Sequence, residues 1–371
     1  MDKTKPIILH VITDLETGGA EAMLTRLVQL DGPFQHVVVS LVAGGMWHRP
    51  LSAMGIEVFD LGMRRGIPSP IGLWRLTRLI RRYQPVLVQT WLYHGDLLGF
   101  LAAHLAGRIP VVWNLRCSDM NYSRYSRLTS LVVRVLSWLS PFTKAIIVNS
   151  DAGRRWHIHL GYRPPRWELL PNGIDVTEFR PNIEARRNWR KKLGLSEESI
   201  LIGMAARRDP MKDHEGLIEA AALLPEDICF VLVGEGVTAD DPSLVRKRGA
   251  IHLLGRCTDM LGFFSTLDIA VLASNFGEGF PNVIIEAMAC GIPCIVTDVG
   301  DAAAIVGDTG KVVPPHDSAA LAEAISGLAR QPELRTRLGK LARDRVVKHY
   351  ALPAIAAHYQ KFWADVISAK K

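Results

Sequence analysis

Short runs of aliphatic and β-branched residues recur along this chain and alternate with segments of helical period. Ile7–Thr13, His36–Val42, Ile56–Asp60, Val86–Thr90, Val111–Leu115 and Lys144–Asn149 read as strands. Most are apolar nearly throughout, as strands must be when helices cover both faces of a parallel sheet. Between them the spacing predicts helices over Ala20–Leu30, Pro70–Tyr83, Asp96–Gly107, Ser126–Ser140 and Asp151–Leu160. Such alternation points to a doubly wound α/β domain.

Around 163–195 the texture changes: four prolines, a Pro-Asn-Gly turn signal and a run of charge predict a linker. The alternation then restarts. Ile200–Ala205, Cys229–Val233, Ile251–Leu254, Ile269–Ala273 and Cys294–Thr297 read as strands; His214–Leu223, Asn282–Cys290, Ser318–Ala329, Glu333–His349 and Pro353–Ala369 read as helices. This predicts an N-terminal domain over 1–180 and a second over 181–350, with no short-period repeat. Ligands of open parallel sheets bind at the carboxyl ends of the strands, so function is expected in a cleft between the domains.

Hydrophobic residues make up 48% and charged residues 22%, a globular composition that excludes a disordered chain. The net charge of +7 is unevenly placed. Residues 1–180 carry 21 basic and 13 acidic side chains, whereas 181–371 carry 23 and 24. The N-terminal half is therefore expected to meet an anionic partner: lipid headgroups, a phosphorylated acceptor or nucleic acid. Cys117, Cys229, Cys257, Cys290 and Cys294 form no CxxC pair, which suggests a reducing, cytoplasmic setting without disulfides. The opening apolar run is only about seven residues, short for a signal peptide. No stretch approaches the roughly 20 apolar residues of a spanning helix.

Several segments hold groups able to do chemistry. Gly18-Gly19-Ala-Glu21 opens a helix directly after the first strand. Two glycines there let a phosphate approach the helix amides, or simply make a tight turn. Neither a Walker A loop nor GxGxxG is present. Arg207 and Lys212 follow the first strand of the second half, where a forked guanidinium and an ammonium suit a diphosphate. A solvated charged loop would have the same spacing. Glu278 lies in a Gly-rich loop, and Glu286 lies eight residues later in an otherwise apolar helix stopped by Gly291. A carboxylate in such a helix is costly unless something binds it, whether a ligand or a structural Lys or Arg. Amides at Gly279–Asn282 are placed to donate alongside. His94 follows a strand in Trp-Leu-Tyr-His-Gly-Asp, where a structural role is equally open. His157 and His159 are two apart on a helix and face different ways, so they do not read as a metal pair. No D-x-D occurs, which shifts any diphosphate contact from a metal to basic side chains and helix termini.

Gly18-Gly19-Ala-Glu21, Leu170-Pro-Asn-Gly173-Ile-Asp175, Arg207…Lys212 and Glu278-x7-Glu286, in that order, resemble the retaining glycosyltransferases of the GT-B fold, in the fourth sequence family. The likeness covers nearly the whole chain and is most specific over Glu278-Gly-Phe-Pro-Asn-Val-Ile-Ile-Glu286-Ala-Met-Ala-Cys-Gly291-Ile-Pro293. It implies an α/β fold of two Rossmann-like doubly wound domains facing an inter-domain cleft, with about 351–371 packing back on the N-terminal, acceptor-side domain. Carried over by position, the resemblance implies that Gly18 and Gly19 approach the donor diphosphate and that Arg207 and Lys212 neutralise it as it leaves. It implies that Glu278 holds donor-sugar hydroxyls, assisted by Gly279, Phe280, Pro281, Asn282 and Val283, and that Glu286 holds the ribose. His94 matches the histidine near the reacting centre, and Arg256 and Cys257 would face the nucleobase. One departure is Gly300-Asp301-Ala302-Ala303-Ala304, where relatives often carry Gly-Gly-x-x-Glu.

The resemblance implies a co-substrate, a UDP- or GDP-type nucleotide-diphosphate sugar, with no further cofactor and no metal. The acceptor attacks from the face the diphosphate leaves, and a phosphate oxygen takes its proton. Preorganised cations at Arg207 and Lys212 would act where negative charge grows. The acceptor side is basic: Arg64, Arg65, Arg75, Arg78, Arg81 and Arg82 cluster, and Arg124, Arg127, Arg134 and Lys144 alternate with Leu128, Leu131, Val132, Val135, Leu136, Trp138 and Leu139. That helix suits a membrane interface or domain packing. The expectation is a glycan or polyprenyl-diphosphate-linked acceptor in polysaccharide biosynthesis, with the chain peripheral at the inner face of an anionic membrane. A GT-B-fold epimerase or a catalytically silent sugar-nucleotide-binding subunit would share these features. A phosphorylase would need a pyridoxal lysine signature, and nucleic acid a recognised module; neither is seen.

Overall fold

The structure, a computed structural model, describes residues 5–16, 18–67, 69–118, 127–245 and 250–369. The chain divides into two compact units, Met1–Gly173 with Leu352–Lys371, and Ile174–Ala351. The first unit ends at Gly173 rather than at residue 180, because Ile174 bridges Ala351 and donates its N–H to the Tyr350 carbonyl at 2.9 Å.

The first unit holds strands β1 (Ile7–Ile12), β2 (Gln35–Ser40), β3 (Glu57–Asp60), β4 (Leu87–Trp91), β5 (Val111–Leu115), β6 (Ala145–Val148) and β7 (Trp167–Leu169). They form one sheet in the order β3-β2-β1-β4-β5-β6-β7, every pair parallel. Alternate residues feed opposite faces. Leu9 and Val11 of β1 join a core under helices Pro70–Tyr83, Leu92–Leu105 and Arg127–Leu139. Ile8 and Ile12 join the other core, under Gly19–Val28 and the returning helix Leu352–Ser368. That last helix buries Tyr359, Phe362 and Trp363, and the Trp363 indole N–H donates to the Gln89 side chain at 2.6 Å.

The second unit holds β8 (Ile200–Ala205), β9 (Ile228–Val233), β10 (Ile251–Leu253), β11 (Ile269–Leu272), β12 (Cys294–Thr297) and β13 (Lys311–Val313), ordered β10-β9-β8-β11-β12-β13 and again parallel. Both sheets therefore reverse direction beside their first strand, at β1/β4 and β8/β11. Such switch points are where open α/β sheets bind ligands.

The segment expected to be a linker is folded. Trp167–Leu169 adds β7 to the sheet edge, and Ile183–Leu193 is a helix capped by Asn182, whose side chain accepts the Ala185 N–H at 3.0 Å. Its charge disguises it: the helix buries Trp189 and Leu193 partly against the core and Arg190 almost completely. Arg190 donates to Asp268 at 2.6 Å and to the carbonyls of Ser196 and Ser199 at 2.6 and 2.9 Å. Another difference lies at His94. Its helix starts at Leu92, directly at the end of β4, and Leu92 takes a left-handed φ of 66° to make that junction.

Candidate active site

In the second unit the loops at the switch point are bound to each other. After β8 the chain passes through Arg207 to a short turn, Pro210–Lys212. Asp209 holds that turn, accepting the Met211 N–H at 2.9 Å and an Arg207 N–H at 3.4 Å. Asp213 follows at a left-handed φ of 50° and caps the next helix through the Gly216 N–H at 3.1 Å. Strain in a non-glycine residue beside a site is a common mark of a constrained side chain, here Lys212.

Lys212 reaches back to the loop after β11. Its ammonium donates to Glu278 Oε1 at 2.5 Å, and the Ser274 hydroxyl donates to the same oxygen at 2.6 Å. Both charged side chains are largely buried, at 16% and 7% exposure, so their attraction is weakly screened. The Asn275 N–H donates to the Met211 carbonyl at 2.9 Å, closing the two loops together. Arg207, by contrast, is 63% exposed and paired with Asp209. Gly300 supports the Glu278 loop from behind. It sits at φ 62°, and a Cβ there would lie 2.2 Å from the Glu278 carbonyl. The Asp301 N–H donates to the Gly279 carbonyl at 3.1 Å. The departure at 300–304 thus retains a glycine that this packing requires.

Helix Asn282–Ala289 begins after Pro281, which caps it without a side-chain hydrogen bond. Phe280 is buried against Tyr350, ring centroids 5.5 Å apart. Glu286 is half-buried. Asn282, Val283 and Glu286 form the accessible stripe of this helix, while Ile284, Ile285, Ala287 and Met288 face the core. Arg256 is exposed and Cys257 half-buried in the loop after β10, tied to the β9 loop by the Gly234 N–H donating to the Gly255 carbonyl at 2.7 Å.

In the first unit, Gly18 precedes helix Gly19–Val28 in extended backbone. A Cβ at Gly18 would lie 2.1 Å from the Glu21 carboxylate, so the glycine makes room for a group of its own helix. Glu21 is buried, and burial pushes its carboxyl up from the usual range. His94 stands in the first turn of Leu92–Leu105. Burial first, and Arg65 second, lower its pKa, which keeps the ring neutral near pH 7; its Nε2 has no partner among the described residues. His94 lines a cavity of about 460 Å³ together with Asp14, Arg65, Tyr93 and Arg116. His157 is buried beneath, its Nδ1–H donating to the Gly153 carbonyl at 2.7 Å and its Nε2 accepting from the Tyr93 hydroxyl at 2.9 Å, while His159 faces outward. Arg124 lies outside the described residues.

Sequence reasoning did not select Ser274, Asp209 or Arg116. Ser274 and Asp209 were legible in principle, as polar residues at strand ends. Besides its neighbour Asn114, Arg116 gains its surroundings from Trp91, Asn172 and Tyr359, residues distant in sequence.

Two parallel sheets, each with its polar loops at the switch point, are the GT-B architecture. The Anabaena HepE structure with UDP superposes with a TM-score of 0.84 at 22% identity, covering 96% of this chain and 99% of that one. Family models agree with this fold: Glycosyltransferase Family 4 matches residues 17–178, and Glycosyl transferases group 1 matches 185–345. EpsF of Bacillus subtilis, a protein named as a glycosyltransferase, is 30% identical over 80% of each chain. An N-acetylgalactosaminyltransferase of Campylobacter jejuni, named for an N,N'-diacetylbacillosaminyl-diphospho-undecaprenol acceptor, is 25% identical over 89% of this chain and 91% of its own. The chain belongs to the group 1 glycosyl transferases.

Proposed function

We propose that this glycosyltransferase moves a sugar from a UDP- or GDP-type nucleotide sugar to a glycan or polyprenyl-diphosphate-linked glycan in cell-envelope polysaccharide synthesis, with retention of configuration and without a metal. The observation that carries the reading is the Lys212–Glu278–Ser274 cluster at the β8/β11 switch point, with Arg207 beside it. A leaving nucleoside diphosphate would draw Lys212 and the exposed Arg207, and Glu278 would be freed to accept from sugar hydroxyls. Cations fixed before the reaction stabilise the charge that grows on the leaving group most strongly in the transition state. Glu286, on the accessible stripe of its helix, would take the ribose hydroxyls. Gly279, Phe280, Pro281, Asn282 and Val283 would line the donor, Arg256 and Cys257 the base, Gly18 and Gly19 the donor diphosphate, and neutral His94 the transferring sugar. The UDP-bound HepE and the lipid-linked acceptor named for the Campylobacter relative support donor and acceptor class.

The test is product formation with UDP- and GDP-sugars, with and without EDTA, in wild type and in Arg207→Ala and Glu286→Ala. Each variant is expected to lose at least about a hundredfold in rate. Unchanged turnover in either, dependence on added metal, or an inverted anomeric product would overturn the corresponding part of the proposal.

The same reading includes docking on an anionic membrane. Among the described residues, no helix is long and apolar enough to cross one. Helices Pro70–Tyr83, Leu92–Leu105 and Arg127–Leu139 pack side by side on one face of the first sheet. Their outer side exposes Trp74, Leu131 and Trp138 among Arg75, Arg78 and Arg134. Amphipathic aromatic and basic groups together suit a headgroup layer. Flotation with phosphatidylglycerol vesicles at low salt is expected to carry the protein upward, and Trp138→Asp with Trp74→Asp to abolish this. A wild-type chain left at the bottom would remove the membrane from the proposal.

A further inference from the structure

We propose that Arg116 and Arg65 form an anion subsite in the first unit that takes a phosphoryl group of a lipid-linked acceptor, an inference that rests on the transferase reading. Arg116 follows β5 and lines the 460 Å³ cavity. Its guanidinium donates to Tyr359 Oη at 3.1 Å, to Asn114 Oδ1 at 3.3 Å and to the Asn172 side chain, and lies 5.4 Å over the Trp91 ring. All four are neutral. Its Nε is buried without a partner, and among the described residues no carboxylate forms an ion pair with it. Among the described residues Arg116 hydrogen-bonds neutral groups, and Glu21 attracts it without forming an ion pair, so a ligand anion would supply the direct charge partner that this half-buried cation lacks. Burial is also the main influence lowering its pKa.

Arg65 lies across the same cavity. It is 76% exposed, and its one ion pair, with buried Asp14 at 2.8 Å, leaves most of its fork accessible. Two guanidinium groups match the geometry of a phosphate or diphosphate better than ammonium groups would. A second recess of about 50 Å³ shares Thr13, Arg65, Gly66 and His94 with the cavity. Apart from Arg64, its remaining wall is apolar, with Leu41, Met63, Leu97 and Leu98. An anion site opening on an apolar annex suits a phosphoryl group that carries a hydrocarbon, rather than a free sugar phosphate.

The test is titration of the full chain with farnesyl diphosphate, inorganic pyrophosphate and farnesol, each with and without saturating UDP. Farnesyl diphosphate is expected to bind equally well with UDP present, pyrophosphate more weakly, and farnesol not measurably. Arg116→Gln is expected to weaken farnesyl diphosphate binding about tenfold or more. Arg116→Lys should recover part of that loss, and UDP affinity should stay unchanged in both, which also reports that the variants are folded. Arg65→Gln should weaken the same probe severalfold. Wild-type affinity in Arg116→Gln, or displacement of the probe by UDP, would overturn the subsite, because the probe would then sit elsewhere. Pyrophosphate binding as tightly as farnesyl diphosphate would remove the lipid from it. A wild-type chain that binds farnesyl diphosphate through Arg116 but neither UDP nor GDP would instead count against the transferase reading and leave the subsite standing.

Discussion

Lys212→Met is expected to lower the rate of sugar transfer by about two to three orders of magnitude, and to weaken the second unit at the same time. The rate falls because one fixed cation no longer faces the departing diphosphate. The stability falls because Glu278, at 7% exposure, loses the ammonium that faces it, while the Ser274 hydroxyl still donates to the shared oxygen. Removing one partner of a buried pair costs about 3–5 kcal/mol, more than the intact pair contributes. The double variant Lys212→Met with Glu278→Gln separates the two effects. It is expected to regain most of the lost stability, within about 1 kcal/mol of wild type, while remaining inactive. Denaturant midpoints and initial rates on the four proteins complete the cycle. A single variant that is destabilised yet fully active would make the pair purely structural.

Asp268→Ala is expected to cost the second unit about 4 kcal/mol or more, with little direct effect on chemistry. One carboxylate here closes three contacts: Arg186 at 2.9 Å, Arg190 at 2.6 Å and the Leu201 N–H at 2.8 Å. Arg190 is 1% exposed, so losing Asp268 leaves a buried guanidinium against carbonyl oxygens alone. The reverse change, Arg190→Met, removes the charge and keeps an apolar stem, and is expected to cost only about 1–2 kcal/mol. Equal losses for the two substitutions, read from urea unfolding, would contradict this asymmetry.

Much of the fold was legible because its signals are local. Helix Pro70–Tyr83 has the expected bounds because Ser69 accepts the Gly72 N–H at 3.1 Å and proline occupies the first turn. Strands such as β5 and β12 match their apolar runs because both faces are covered. Helix Ile183–Leu193 was hidden by its own charge, since Arg190 is interior only through an acid 78 residues later. Strands β7 and β13 are three residues each and include a charged residue, Glu168 and Lys311, that interrupts the apolar run. At the site, Glu278 and Lys212 were found as motif members, but their direct bond was not, since it depends on how two loops meet. Glu286 stood out in sequence as a charge among apolar neighbours at i±1 and i+2, but its place on a stripe with Asn282 and Val283 at i−4 and i−3 shows only in the folded helix.

The return of Leu352–Ser368 to the first unit orders events during synthesis. One face of the first sheet lacks Tyr359, Phe362 and Trp363 until residues 352–368 have left the ribosome, whereas Ile174–Ala351 is one uninterrupted stretch. The second unit therefore has everything it needs to complete its core first. The half of the protein made earliest is the half that finishes last, holding an open apolar face meanwhile. That interval is when the nascent chain has most need of a chaperone.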